Sequence, residues 1–249
     1  MSSTPFTHIY ASPLKRAFST AQAVLAAQSE PKPLFTVSPD VREQHFGIAE
    51  GQPWSYHADA RLAREELYAK GVFPVILNRQ DRFPEGESLE DLQNRTERAI
   101  REIVVPYIWK EVNGAVTDPH IAIVSHGLCI SELVAAVLRL DSSGCPEDGD
   151  KWTGLMNTAW TRVTIGIVRF LYYRLFLFFY HNYFCEIGEE SSSQLPPLRV
   201  KVTHVNEHMH LNDVVRWLNL ARPFGQHLML YFVETTTRNW KRGPRPSSK

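Results

Sequence analysis

The sequence has no excess of either charge and no internal repeat, and this excludes several classes of protein. Lysine and arginine together number 27 in 249 residues, and aspartate and glutamate together also number 27. With no net charge, the chain has no overall field that favours nucleic acid or an acidic membrane. We therefore expect no nucleic-acid partner, and we interpret the basic residues in 238–249 as a solvated end.

Cysteine is also scarce. Cys129, Cys145 and Cys185 show neither the spacing of metal ligands nor a disulfide framework, and such usage is typical of a reducing compartment. The amino end lacks the basic start and the apolar stretch of a secretory signal. We therefore expect a cytoplasmic location.

Three histidines near the carboxyl end suggest a metal site at first sight: His204, His208 and His210. In a predicted strand and turn with no nearby carboxylate other than Glu207, we favour structural roles for them. We expect no metal and no other cofactor.

What the chain does contain is Ser125-His126-Gly127, between an apolar run at 121–124 and a periodic apolar run from Ile130. This order predicts a buried strand, an imidazole at its carboxyl end and then a helix, which is where open α/β sheets bind ligands. A histidine in that position is often a hydrogen-bonded structural residue, so the tripeptide alone does not establish a site.

A second candidate is Arg16. Residues 6–11 predict a strand, Ser12 is a good N-cap and Pro13 fits the first helical position, so Arg16 falls in the opening turn of a helix. Free N–H groups and the helix dipole favour an anion there, and the guanidinium adds a planar fork that fits phosphate oxygens. The alternative is a solvated arginine on an amphipathic helix.

Two further motifs lie between these, Arg-Glu-Gln-His-Phe-Gly at 42–47 and Glu-Gly-Glu-Ser at 85–88. Taken in order with the segments at Arg16 and His126, they resemble the histidine phosphatase superfamily, the phosphoglycerate-mutase-like fold. The resemblance covers about 6–165 and resumes at about 199–211. It implies an α/β fold with a three-layer arrangement, a sheet with helices on both faces.

The resemblance also implies a reaction and roles. Enzymes of this family transfer a phosphoryl group from a small phosphorylated substrate to a histidine and then usually to water. By matched position, Arg16 would clamp phosphate and His126 would be a second imidazole that donates to a phosphoryl oxygen. Glu43 would be the proton donor, for which burial should raise its pKa. We favour a phosphatase over a mutase, because 52–83 carries no proline-rich mutase signature.

The chain departs from the family at its nucleophile. The family's nucleophilic histidine lies in an Arg-His-Gly at the end of the first strand, and no such tripeptide occurs in this sequence. His8 lies inside a predicted strand and is no obvious replacement. We therefore expect a sequence truncated at its amino end, an inner strand missing from the sheet with unpaired edges beside the gap, and little or no activity.

A dense aromatic stretch at 167–184 looks foreign to the fold. It is nearly long enough to span a bilayer, but Arg169, Arg174, His181 and Asn182 would be unfavourable there. It could also be a buried insertion. We favour a third interpretation, a stretch that is not natural to the protein, such as a translated intron, because it separates two predicted strands that the family joins by a short turn.

These considerations divide the chain into an incomplete histidine-phosphatase-like domain at 1–165 and 199–221, an insertion and linker at 166–198, and a tail at 222–249. We also predict a long helix over 88–109, with a capping box at its start, and helical structure over 54–70.

Three functions stay open: a metal-independent phosphomonoesterase whose sequence has lost its start, a protein that binds phosphorylated ligands without turnover, and a membrane-anchored interaction protein. We favour the first function for the family from which the chain derives, and we do not expect a membrane partner.

Overall fold

The computed structural model describes residues 4–55, 58–59, 61–115, 118–144, 159–168, 195–207 and 227–234. Its strands are β1 (His8–Ala11), β2 (Leu34–Val37), β3 (Trp54–Ser55), β4 (Phe73–Pro74), β5 (His120–Ser125), β6 (Trp160–Ile167), β7 (Leu198–Glu207) and β8 (His227–Glu234). Its α-helices are α1 (Lys15–Ala26), α2 (Arg64–Ala69), α3 (Leu89–Ile103), α4 (Val105–Val112) and α5 (Gly127–Leu138).

Six of the strands in the described ranges form the central sheet, in the order β2-β1-β5-β8-β6-β7. The first four are mutually parallel, whereas β6 runs antiparallel to both of its neighbours. The carboxyl ends of β1, β5 and β8 therefore meet at one edge of the sheet, and the segments that follow β1 and β5 carry Arg16 and His126. This is the edge at which open α/β sheets bind ligands.

Helices cover both faces of this sheet, as we expected. On one face, Ile121 and Ile123 of β5 pack with apolar residues of α3, α4 and α5 in the larger core cluster. On the other face, Ala122 and Val124 pack with Ala17 and neighbouring residues of α1. The alternation along β5 gives both faces a buried apolar surface, as in parallel sheets enclosed by helices.

The sheet has no gap beside the strand that carries His126. We expected an inner strand to be missing there, but β8 pairs with β5 on one side and with β6 on the other. Leu230 and Phe232 of β8 are buried in the larger core cluster. The expectation of unpaired edges was wrong, because residues 227–234 of the expected tail supply the inner strand. The rest of the proposed division into domains stays a prediction.

The helices depart from the sequence predictions in two places. The predicted long helix divides into α3 and α4 at Val104, because Pro106 in the first turn of α4 has no N–H for a continuous helix. The predicted helical structure over 54–70 is largely wrong: β3 opens this segment, and among its described residues only those of α2 form an α-helix. The capping box is confirmed, with Ser88 and Asp91 bonded to each other's backbone.

Strands β6 and β7 form an antiparallel pair in which Ile167 lies opposite Leu198. The N–H of Val168 donates to the carbonyl of Pro197 at 2.9 Å. The chain therefore leaves β6 and returns to β7 at neighbouring positions. Apart from Ile167 and Val168, the aromatic stretch lies outside the described residues. In the described part of the chain, no helix has the length and apolar character needed to cross a membrane.

Candidate active site

Arg16 and His126 meet at the carboxyl edge of the sheet, where Ser12 joins them. Arg16 lies in the first turn of α1, and its Nε donates to Nδ1 of His126 at 3.0 Å. Nε2 of His126 lies 2.8 Å from the Ser12 hydroxyl oxygen. Ser12 was expected to cap α1, but the N-cap is Leu14, and the Ser12 hydroxyl accepts from the N–H of Leu14 and holds the imidazole.

The contact with Arg16 fixes the protonation of His126. A guanidinium can only donate, so Nδ1 accepts and the ring proton lies on Nε2, which donates to Ser12. The ring is fully buried. Burial, with the positive charges of Arg16 and Arg95, lowers the pKa of His126 to about 3. The imidazole is therefore neutral at physiological pH and can serve as a hydrogen-bond donor through Nε2.

Glu43 reaches the same place from the segment after β2. Its Oε1 accepts from the N–H of Cys129 at 3.1 Å, in the first turn of α5, and from its neighbour Gln44 at 3.1 Å. His126 is the N-cap of α5 and gives no side-chain cap, so Glu43 supplies that acceptor. Burial raises the pKa of Glu43, against the opposing effect of these hydrogen bonds and of Arg16. A raised pKa suits a carboxyl that exchanges a proton.

Two loops that carry the sequence motifs hold Glu43 in place. The N–H of Glu87 donates to the carbonyl of His45 at 2.7 Å, and the N–H of Ile48 donates to that of Pro84 at 3.1 Å. The backbones approach so closely that a Cβ on Gly47 would lie 1.9 Å from the Pro84 carbonyl oxygen. The motifs at 42–47 and 85–88 therefore form one structural unit.

Sequence reasoning missed Arg95, which is 8% exposed and bonds both oxygens of the Glu87 carboxylate at 3.0 and 2.9 Å. Burial alone would raise the pKa of Glu87, but Arg95 and the N–H of His45 hold it below its usual range. A signal was present, because Arg95 lies three residues after Leu92 and four before Ala99 on the apolar face of α3. A charged residue in such a stripe is rarely buried unless it is paired.

The cationic residues of 52–83 are mostly paired with acids. Arg64 donates to Asp81 at 2.6 Å, and Arg79 donates to Glu132 of α5 at 2.8 Å. Arg61 and Arg82 form similar pairs with Asp59 and Asp91. These contacts hold the segment together and join it to the rest of the fold.

The other histidines considered from the sequence lie away from this edge. His8 begins β1, at the opposite end of the strand from Ser12, and its ring bonds the hydroxyls of Tyr107 and Thr36. His204 is in β7, with its ring 5.0 Å from that of Trp160. His208 and His210 lie outside the described residues.

Comparisons with known proteins bear on this site. A family model, the histidine phosphatase superfamily (branch 1), matches residues 1–170, which include Arg16, Glu43 and His126. One similar solved structure is the crystal structure of an Escherichia coli protein, from strain K-12 substrain MG1655, proposed to be an alpha-ribazole-5'-P phosphatase. The two share 21% identity with a TM-score of 0.35, over 55% of this chain and 59% of that one.

The chain thus spans less than two thirds of the length of that protein. A search of curated proteins found no match. Since the family model matches more than half of the sequence, the chain belongs to the histidine phosphatase superfamily (branch 1).

Proposed function

We propose that this chain binds a small phosphorylated ligand through Arg16 and His126, with Glu43 as the group that exchanges a proton, and that residues 1–249 do not hydrolyse it. The observation that carries the first part is the arrangement of Arg16. Its Nε is fixed by His126, while its terminal nitrogens donate no hydrogen bond within the described residues. A guanidinium anchored through Nε in the first turn of a helix can donate from its two terminal nitrogens to two phosphoryl oxygens.

His126 and Glu43 complete the proposed contacts. Because the ring is fully buried against Ser12, the Ser12 hydroxyl would move aside, and the Nε2–H of His126 would donate instead to a phosphoryl oxygen, a stronger acceptor when it carries charge. Glu43, with its raised pKa, would carry a proton near neutral pH more readily than an ordinary glutamate. A protonated carboxyl does not repel the ligand and can supply the proton that a leaving oxygen requires.

The absence of turnover is proposed from the strand beside β5. In the family, the strand next to the one that carries His126 ends in Arg-His-Gly. In this chain β8 takes that place, with Glu234 in register with Ser125. The sequence there continues from Val233 as Glu-Thr-Thr, without a histidine. A covalent phosphohistidine needs such a group in line with the phosphoryl centre.

Titration calorimetry with phenyl phosphate tests the binding. We expect Arg16→Ala to weaken binding by about 10- to 100-fold, the loss of one charge-assisted interaction of about 1.5 to 3 kcal/mol. Lys15→Ala is the matched control, since Lys15 is the exposed neighbouring cation in the same turn. It should change the affinity by less than about threefold, because an exposed charge is screened. Equal losses in the two variants, or no binding by the unchanged chain, would contradict the proposal.

A further inference from the structure

We propose that Arg95 is a positioning residue that fixes the backbone of residues 40–43 and so holds the Glu43 carboxyl at the start of α5. This inference rests on the proposed function, because it assigns to Arg95 the alignment of a group in the proposed phosphate site. Arg95 is on the buried face of α3, and its relative exposure is 8%. Removing a guanidinium from water is unfavourable unless its donors are satisfied, and here they are.

Every N–H of the guanidinium has an acceptor. Nη1 donates to the carbonyl oxygens of Asp40 at 2.8 Å and Arg42 at 3.0 Å. Nη2 donates to the carbonyl oxygen of Glu43 at 3.3 Å and to Glu87 at 2.9 Å, and Nε donates to the other Glu87 oxygen at 3.0 Å. Three of these five bonds end on the backbone of the segment that carries Glu43. Arg95 therefore fixes the shape of this loop through its backbone contacts, in addition to forming an ion pair with Glu87.

Glu87 extends the same restraint to the other side of Glu43. Its Oε2 accepts from the N–H of His45 at 2.9 Å, and its carbonyl oxygen accepts from the Gln44 side chain at 2.7 Å. Arg95 and Glu87 together therefore hold the backbone before and after Glu43.

The geometry at the far end of Glu43 explains why such a restraint matters. The carboxyl must cross from its own loop to α5, where its Oε1 lies 3.1 Å from the Cys129 nitrogen. This distance is already near the upper limit of an N–H···O hydrogen bond. A displacement of about 1 Å would break the bond, and shifts of that size disable sites that depend on alignment.

The substitution Arg95→Lys distinguishes this positioning role from a role that depends only on the positive charge of residue 95. Lysine keeps the positive charge but lacks the planar fork with five donors. Arg98→Lys is the matched control, because Arg98 lies one turn further along α3 and bonds the Asp40 carboxylate from an exposed position. The measurement is a ¹³C NMR titration of the Glu43 side-chain carboxyl, assigned with Glu43→Gln, together with calorimetry with phenyl phosphate.

We expect Arg95→Lys to move the Glu43 pKa towards its ordinary value, as the loosened carboxyl gains solvent, and to weaken phenyl phosphate binding about tenfold. Arg98→Lys should change neither. A lower melting temperature in Arg95→Lys with an unchanged Glu43 titration would overturn the positioning role. If the unchanged protein does not bind phenyl phosphate while the Glu43 pKa still moves, the proposed function fails and the positioning role stands.

A second variant covers the case in which Arg95→Lys does not fold. Glu87→Gln keeps the size of the side chain but removes the carboxylate charge that orients the guanidinium, so the three bonds from Arg95 to the backbone should loosen. We expect the Glu43 pKa to move in the same direction by a smaller amount. A Glu43 titration in Glu87→Gln that matches the unchanged protein would overturn the inference.

Discussion

Gly47 and Gly86 allow the two motif loops to touch through their backbones. Gly47 has a φ of 54°, in the left-handed region that favours glycine, and Gly86 lies against the carbonyl of His45 and the nitrogen of Gly47. This contact brings the two loops together at Arg95, which bonds both the carbonyl oxygen of Glu43 and the carboxylate of Glu87. The spacing of the motifs along the sequence therefore has a steric reason.

Gly47→Ala should destabilise the protein by about 3 kcal/mol or more, as seen in urea denaturation. The Cβ would meet the carbonyl of Pro84, and the residue would also bear the strain of a positive φ. Gly71→Ala is the control, because Gly71 has a φ of 68° but nothing within 4 Å of a Cβ. This substitution should destabilise the protein by only about 1 to 2 kcal/mol. Equal losses at the two glycines would show that the loops can separate.

At the level of single residues, the sequence indicated the three groups of the proposed site and missed Arg95, which bonds the backbone around Glu43. Arg16, Glu43 and His126 belong to ordered motifs, and the structure brings them together. Arg95 acts largely on backbone carbonyls, which leave no trace in the pattern of side chains. Ser12 was recognised as a capping residue, but its hydroxyl accepts from His126, a partner 114 residues away.

At the level of elements, β8 is the strand on which the sheet depends. It pairs along both sides and buries Leu230 and Phe232. A chain that ends at residue 226 should therefore lose its cooperative thermal transition, since β5 and β6 would lose their shared partner. A chain that ends at residue 234 is the control and should retain the transition. If 1–226 melts as the full chain does, β8 is not part of the stable sheet.

The connection between β6 and β7 can be replaced by a short turn. Val168 and Pro197 are hydrogen-bonded, but Pro197 has no N–H to close a two-residue turn. Gly-Asn-Gly in place of 169–194 gives a short hairpin loop that retains Leu195, which packs against the larger core cluster. We expect the shortened protein to melt at the same temperature or higher, because a shorter loop loses less entropy on closure. Its affinity for phenyl phosphate should also be unchanged. Unfolding or loss of binding would show that the aromatic stretch belongs to the fold.

Element prediction succeeded where apolar periodicity and position agreed, as in β5, α5 and the pair β6 and β7. It failed at β8 because 227–234 follows a stretch interpreted as the end of the domain, and only the pairing partners reveal an inner strand. It failed over 54–70 because helix-forming composition was outweighed by contacts with Phe73 and Phe83, which pack against Trp54 and Tyr68. Local preference gives way to tertiary packing in such short segments.

At the level of the whole molecule, two buried neutral histidines should make the fold sensitive to acid. Burial, together with Lys110, lowers the pKa of His8 to about 4, and that of His126 is lowered to about 3. Between these values and the ordinary 6.5 the unfolded chain binds protons that the folded chain does not, so stability falls as pH falls through this window. Glu43, with its raised pKa, acts in the opposite direction.

Urea midpoints measured from pH 7 to pH 4 test this sensitivity. The midpoint should fall across the range, and His8→Gln should reduce the fall, because the amide retains a donor and an acceptor for Tyr107 and Thr36 but does not titrate. His204→Gln is the control, since His204 is in β7, outside the cluster of His8, Tyr107 and Thr36; partial burial and Arg162 lower its pKa, and Glu207 opposes them. The same slope in His8→Gln as in the unchanged protein would contradict the assignment to His8.

The most direct test of the account is ³¹P NMR of residues 1–249 with phenyl phosphate over several hours. We predict a ligand resonance that shifts or broadens with the protein, returns to its free position with Arg16→Ala, and gives no increase in inorganic phosphate above the protein-free rate. Release of inorganic phosphate that disappears in His126→Ala would contradict the absence of turnover. An unperturbed ligand resonance would contradict the phosphate site itself.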